Sequence, residues 1–206
     1  MKWMLFALAM MGCGEPSEAA APTSAAESPP EGLAAAVFAG GCFWCMEAPF
    51  EKRSGVVSVE SGYIGGPEVG PSYYQVARGE TGHFEAVRVV YDPSSISFEE
   101  LLGTFWHNVD PTQANGQFCD RGDQYRTAIF VDGDEQRKAA TASKKATEAT
   151  LKRTVVTPIL PKQTFWVAEE YHQDFYKKNP TRYKSYRAGC GRDHRLQQLW
   201  GRDAGR

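Results

Sequence analysis

The stretch Gly40-Gly41-Cys42-Phe43-Trp44-Cys45 constrains this chain more than any other. It follows an apolar run, Leu33 to Phe38, that reads as a buried strand. After it, Phe43, Met46 and Phe50 recur at helical spacing, so Cys42 falls where a strand gives way to a helix. Unpaired backbone amides and the helix dipole favour an anion there. A thiolate suits such a place, and the thiolate is the reactive form of cysteine. Two aromatic rings beside it predict a small apolar cage around a nucleophile. Pro49 removes one hydrogen bond from the helix, which predicts a kink between the Cys42 turn and the rest.

The chain's 206 residues suffice for one compact domain with a full core. Its 42 % apolar and 23 % charged content is that of a soluble globular protein. A net charge of −2 provides no basic field for nucleic acid. Four histidines are too few for a metal cluster unless cysteines join them.

The first residues differ from the rest. Lys2 precedes an apolar run from Trp3 to Met11, then Gly12-Cys13. The run is far shorter than the roughly 20 residues that span a bilayer. It fits a secretory signal. Cys13 directly after a small residue resembles a bacterial lipoprotein signal, in which it would carry the lipid. Met10 stands where such signals usually have Leu, and an ordinary cleaved signal or a mis-chosen start codon are the alternatives. Residues 14–32 hold only Gly, Glu, Pro, Ser, Ala and one Thr. They cannot bury enough surface to offset their ordering entropy. The expected organisation is a signal or lipoprotein-type segment at 1–13, a disordered tether at 14–32 and a single catalytic domain at 33–206. Export and a lipid anchor on the periplasmic side of the cell envelope follow, with a cytoplasmic location as the alternative.

Within the domain, strands are predicted at Gly55–Ser61, Phe84–Tyr91, Arg126–Val131 and Val155–Leu160. Gly62–Ser72 and Asp110–Asp123 read as loops. Ser97 and Glu100 form a capping box ahead of Phe98, Leu101, Leu102, Phe105 and Val109, an amphipathic helix. Glu135–Lys152 reads as an exposed helix, and Glu169–Lys178 as a short one stopped by Asn179-Pro180. The alternation predicts an α/β (α+β) fold, a two-layer sandwich.

Two cysteines at i and i+3 fit a redox disulfide or half of a zinc site. Zinc needs two more ligands at ordered spacing, and Cys119 and Cys190 are isolated in sequence. A thiol–disulfide oxidoreductase using Cys42 and Cys45 is the stronger rival, although Phe43 and Trp44 would crowd a protein disulfide. A lipid-tethered zinc-binding or interaction module is a third reading. Glu85 sits in an otherwise apolar strand. A desolvated carboxyl there stays protonated near neutral pH, as a general acid must. From the residue alone, a solvated glutamate on an outer face is an equal reading.

Gly41-Cys-Phe-Trp44, Gly82-His-Phe-Glu-Ala-Val87, Asp120-Arg-Gly-Asp-Gln-Tyr-Arg126, Tyr171-His-Gln173 and Asn179-Pro180 occur in that order. From about Val37 to Pro180 the chain resembles the peptide methionine sulfoxide reductase A family. The resemblance implies a ferredoxin-like core in a two-layer sandwich, with long loops and an extended C-terminal tail. It implies a monomer that reduces methionine-S-sulfoxide, in proteins, in peptides or free, to methionine. The implied reductant is thioredoxin or a thioredoxin-like dithiol, with no cofactor and no metal. Cys42 would attack the sulfoxide sulfur and Glu85 would protonate its oxygen. Phe43 and Trp44 would cage the methyl group, against simple core packing. Tyr73 and Tyr125 would donate to the oxygen, with Tyr74 a neighbouring alternative. Asp120 would hold water or orient the substrate, against a loop cap. His83 and His172 read as structural.

Attack leaves a sulfenic acid on Cys42 that a second thiol condenses with. Family members often place that cysteine in a glycine-rich tail just after Asn-Pro. Here Thr181–Arg187 contains none, and Cys190 follows in Gly189-Cys-Gly191. Cys190 is the first expectation, Cys119 the second and Cys45 the third, because a one-turn disulfide strains a regular helix. A direct route without a resolving cysteine stays open.

Overall fold

The computed structural model describes residues 23–24 and 28–206. The 1–13 segment with Cys13, and residues 14–22 and 25–27 of the expected tether, lie outside the described residues.

Strand β4, Phe84–Tyr91, is buried at every position. It lies between β3 (Val56–Ile64) and β2 (Ala34–Gly40), antiparallel to both. Outside β2 comes β7 (Thr127–Val131), also antiparallel, and then β8 (Ile159–Pro161), parallel to β7. Beyond β3, at the other edge, lie β9 (Trp166–Val167) and β1 (Thr23–Ser24). Thr23 and Ser24, within the expected tether, thus pair with Val167 and Trp166. A short edge strand offers unpaired backbone groups that even a low-complexity segment can meet. A separate hairpin joins β5 (Gly116–Gln117) to β6 (Asp120–Arg121).

Helix α1 (Phe43–Glu51) follows β2, and α3 (Phe98–Trp106) follows β4. The run β2-α1-β3-β4-α3-β7, with spatial order β3-β4-β2-β7, is the ferredoxin-like arrangement. Alternate side chains sort to two faces. Phe38, Val87, Val89 and Tyr91 join the core beneath the helices, whereas Val37, Ala39, Phe84 and Ala86 form a smaller cluster behind. Phe38 stacks on Phe50 at 5.0 Å and on Phe105 at 5.3 Å, so β2, α1 and α3 meet at one ring. The long helix α4 (Gly133–Leu151) lies against α3 and buries only Ala140 and Thr147.

Several expectations shift. The capping box at Ser97 is present, but α3 ends at Trp106. Pro49 lies within a continuous α1, where the buried faces of Met46 and Phe50 outweigh one lost hydrogen bond. Residues 155–158 are not strand. Their amides turn to other partners, Val155 to Glu148 and Val156 to the Pro111 carbonyl. Gly62–Ile64 extend β3 rather than opening a loop, and helix α2 (Tyr73–Ala77) follows that loop. The helix expected over 169–178 shrinks to α5 (Phe175–Lys178).

The C-terminal tail is helical. Asn179-Pro180 ends α5 as expected, and Pro180 then begins α6 (Pro180–Gly189), since proline at a first helical position loses no bond. Gly191, at φ +66°, turns the chain into α7 (Arg192–Trp200). Arg192 is almost fully buried and pins this tail: its guanidinium donates to the carbonyls of Gly40 and Asn108 and lies over the Phe118 ring.

Candidate active site

Cys42 is the N-cap residue of α1 and makes no side-chain capping bond. The first amide of the helix, Phe43 N–H, instead donates to Oε2 of Glu85 at 3.1 Å. Glu85 faces the helices from β4, in register with Tyr63 of β3. The turn into α1 depends on Gly41, at φ +82°, where any Cβ would lie 2.6 Å from Gln117 Cβ.

A cleft of about 100 Å³ is lined by Cys42, Phe43, Trp44, Tyr73, Glu85, Asp120, Tyr125 and Tyr186. The residues expected to hold substrate therefore meet around Cys42, drawn from α1, α2, β4, β6, the turn before β7, and α6. Trp44 is fixed on three sides. It stacks on Phe175 at 3.6 Å, meets Tyr186 edge-on at 5.9 Å, and donates its indole N–H to His172 Nδ1 at 3.0 Å. Phe43 is buried against His172 and Tyr63.

Burial pushes the Glu85 carboxyl up to about 8, and the charges of Asp120 and Cys45 add to it, while the Phe43 amide opposes. Glu85 thus holds a proton at neutral pH. Burial also drives Cys42 well above the ordinary thiol range, helped by the Cys45 hydrogen bond and the charges of Cys45 and Glu85 and opposed by the Tyr186 hydroxyl. Cys45 is pulled to about 6, chiefly by the hydrogen bond from Cys42, against burial and with help from Arg192 and Arg187. At Cys42, desolvation therefore opposes the helix dipole that favours a thiolate.

Burial raises Tyr73 to about 12 and lifts Tyr125 and Tyr186 higher still, so all three stay hydrogen-bond donors. Asp120 is raised by burial, opposed by the hydrogen bond from Tyr186 and the charge of Arg192.

Cys119 and Cys190 are bonded to each other, while Cys42 and Cys45 are free and buried. A Cys119–Cys190 disulfide fits recycling by a thioredoxin-like dithiol, as the expectation for Cys190 and Cys119 has it, while Cys45 is the candidate that carries a free thiol next to Cys42. The strain objection to Cys45 also weakens, because Cys42 has φ −50° and ψ 119°, outside the regular helix.

Four contributors escaped the sequence reading. Tyr186 lies in the tail beyond the recognised motifs, and nothing in its neighbours distinguishes it from Tyr183. Glu169 accepts from the Tyr63 hydroxyl and from the Tyr73 amide, both at 2.8 Å, and so fixes the tyrosine wall. Its nearness to Tyr171-His-Gln173 was the available signal. Glu47 is fully buried on α1 and accepts the Asp174 amide at 3.0 Å. Phe175, next in sequence, supplies the Trp44 stack. His172 is held near 4 by burial, a neutral hydrogen-bond acceptor at Nδ1 as expected of a structural histidine.

The family model described as peptide methionine sulfoxide reductase matches residues 34–204. The peptide methionine sulfoxide reductase MsrA of Halalkalibacterium halodurans is 52 % identical over 172 residues, covering 82 % of this chain and 98 % of that protein. MsrA 2 of Caulobacter vibrioides is 47 % identical over 195 residues, 95 % of this chain and 94 % of its own. Among solved structures, reduced Mxr1 of Saccharomyces cerevisiae superposes with a TM-score of 0.70 at 32 % identity, over 75 % of this chain and 90 % of Mxr1. Mxr1 is also solved in complex with Trx2. A cysteine at a helix start, a protonated buried carboxyl and a ring of tyrosines thus occur on a fold shared with these enzymes, and the chain belongs to the peptide methionine sulfoxide reductase family.

Proposed function

We propose that this protein reduces methionine-S-sulfoxide, in proteins and peptides and as the free amino acid, to methionine. The observation that carries the reading is the hydrogen bond of the Phe43 amide to Glu85. It holds a proton-bearing carboxyl at the helix start where Cys42 sits, within one cleft. The Cys42 sulfur attacks the sulfoxide sulfur, the S–O bond breaks, and Glu85 gives its proton to the departing oxygen. Glu85 regains a proton from the Cys42 thiol. The freed hydroxide then attacks the Cys42 sulfur and breaks its new bond to the methionine sulfur, so thiol and sulfoxide become sulfenic acid and thioether with no other reactant. Tyr73 and Tyr125 supply hydroxyl donors toward the oxygen, and Asp120 orients water or substrate. Phe43 and Trp44 make the apolar wall that receives the methyl group.

Cys45 then condenses with the sulfenic acid, releasing water and leaving a Cys42–Cys45 disulfide. A thioredoxin-like dithiol takes up the oxidising equivalents, as the Mxr1–Trx2 complex supports for the yeast relative. The rival reading, a thiol–disulfide oxidoreductase on Cys42 and Cys45, gives no role to the proton-bearing Glu85 or to the Tyr73 and Tyr125 hydroxyls that line the same cleft. We also propose that residues 33–206 act as one catalytic domain, a monomer tethered through 14–32 to a lipid on Cys13 at the periplasmic face. Turnover of each sulfoxide epimer with a dithiol reductant tests the activity. Release from membranes on Cys13→Ser tests the anchor.

A further inference from the structure

The Cys119–Cys190 pair lies outside the lining of the Cys42 cleft, and the fold takes trouble to assemble it. The two residues are 71 positions apart and their Cα atoms 4.9 Å apart. Cys119 sits exposed at the β5–β6 turn, after Phe118 at φ +55°, and Cys190 caps the C-terminal end of α6. Asp120 lies beside them, its Oδ1 3.7 Å from the Cys119 sulfur and its Oδ2 taken by the Tyr186 hydroxyl. One ligand atom from each of Cys119, Asp120 and Cys190 falls within 4.8 Å of the others.

From this geometry we infer a metal site that exists only in the reduced protein: Cys119, Cys190 and Asp120 bind one thiophilic divalent cation of the Zn²⁺ class. Two sulfurs held by zinc stand about 2.3 Å from it, so the sulfurs must part once the bond between them is reduced, and Cys119 is exposed at its turn. Two thiolates and one carboxylate leave a fourth position for water. Tyr186 holds the far oxygen of Asp120 and so aims the near one, as an outer-shell partner does. Arg187 pairs with Asp193, while Arg192, bonded to backbone carbonyls, keeps its charge near Asp120 and favours the anionic ligands. A dithiol such as dithiothreitol opens the site. It passes two electrons and two protons to the Cys119–Cys190 bond, giving two thiols and its own cyclic disulfide, and the metal displaces the thiol protons on binding. Bound metal would hold α6 to the β5–β6 hairpin as the disulfide does, while blocking its re-oxidation.

The test uses Co²⁺ on the full chain under anaerobic conditions, with Cys42 and Cys45 changed to Ser to remove competing thiols. One equivalent bound, with a thiolate-to-cobalt charge-transfer band, is expected after reduction and none before it. Cys190→Ser abolishes the band, and Tyr186→Phe weakens affinity about tenfold. Zn²⁺ displaces the cobalt. In the otherwise unaltered chain, Cys190→Ser removes one equivalent of bound metal, which covers the case of a double variant that fails to fold. No band on reduction, a band that survives Cys190→Ser, or equal binding by oxidised protein overturns the proposal.

Discussion

The Phe43 amide donates to Glu85 Oε2 at 3.1 Å, joining the first turn of the nucleophile's helix to the central strand. One bond both satisfies an orphan helix amide and fixes the acid against the thiol. In this cleft the acid is held by the backbone that presents Cys42, so the two groups keep their relation when substrate enters.

Glu85 must be protonated to act, and it loses its proton near 8. The single-turnover rate is expected to be flat at neutral pH and to fall about tenfold per unit above that value. Glu85→Gln is expected to slow sulfenic acid formation about 100-fold or more while leaving substrate affinity near its original value. Rapid-quench measurement across pH checks both.

The same burial makes a stability statement. Glu85, raised to about 8, and Glu47, raised to about 7 chiefly by burial, both start from 4.5. A carboxyl whose folded value is raised favours the folded state fully below its unfolded value, and this contribution is lost as pH rises through the folded value. Unfolding free energy is therefore expected to decline between about pH 5 and 8. The decline should be shallower in Glu47→Gln. Denaturant titrations at several pH values read the slope.

Cys45→Ser is expected to leave one turnover intact and to accumulate Cys42 sulfenic acid, which a dione probe traps for mass spectrometry. Cys190→Ser is expected to keep cycling with a dithiol. The reverse pattern would restore Cys190 as the resolving residue.

Much of this was legible in the sequence. The apolar run into a helix, the capping box at Ser97 and the wholly buried β4 are local patterns, and local patterns survive folding. The Cys42 cleft was legible because its motifs lie within or beside such elements. What escaped depends on long-range packing. Tyr186 and Arg192 sit in a tail with little apolar periodicity, whose helices are held by contacts to Asp120, Gly40 and Asn108. The Cys119–Cys190 bond spans loops whose meeting no spacing encodes. The upward push on the Cys42 thiol also escaped, since a helix start favours a thiolate and burial opposes it.

Glu47 holds the Asp174 amide and thereby Phe175 against Trp44. Glu47→Ala is expected to cost about 1–3 kcal/mol of stability and to raise KM several-fold with kcat nearly unchanged. Glu47→Gln retains an acceptor and is expected to restore KM. Steady-state kinetics separates the two effects.

Arg192→Met leaves the carbonyls of Gly40 and Asn108 without their donor. A loss of about 2–4 kcal/mol is expected in urea unfolding. Arg192→Lys is expected to recover little of it, because the single Nη2 that serves both carbonyls sits at the end of a longer side chain whose flat guanidinium also lies over the Phe118 ring.

Reduction of resolved methionine sulfoxide epimers by the full chain with a dithiol reductant tests the central claim most directly. Complete consumption of the S epimer, none of the R epimer, and loss of all turnover in Cys42→Ser is the expected result. Turnover of neither epimer, or turnover that survives Cys42→Ser, would contradict it.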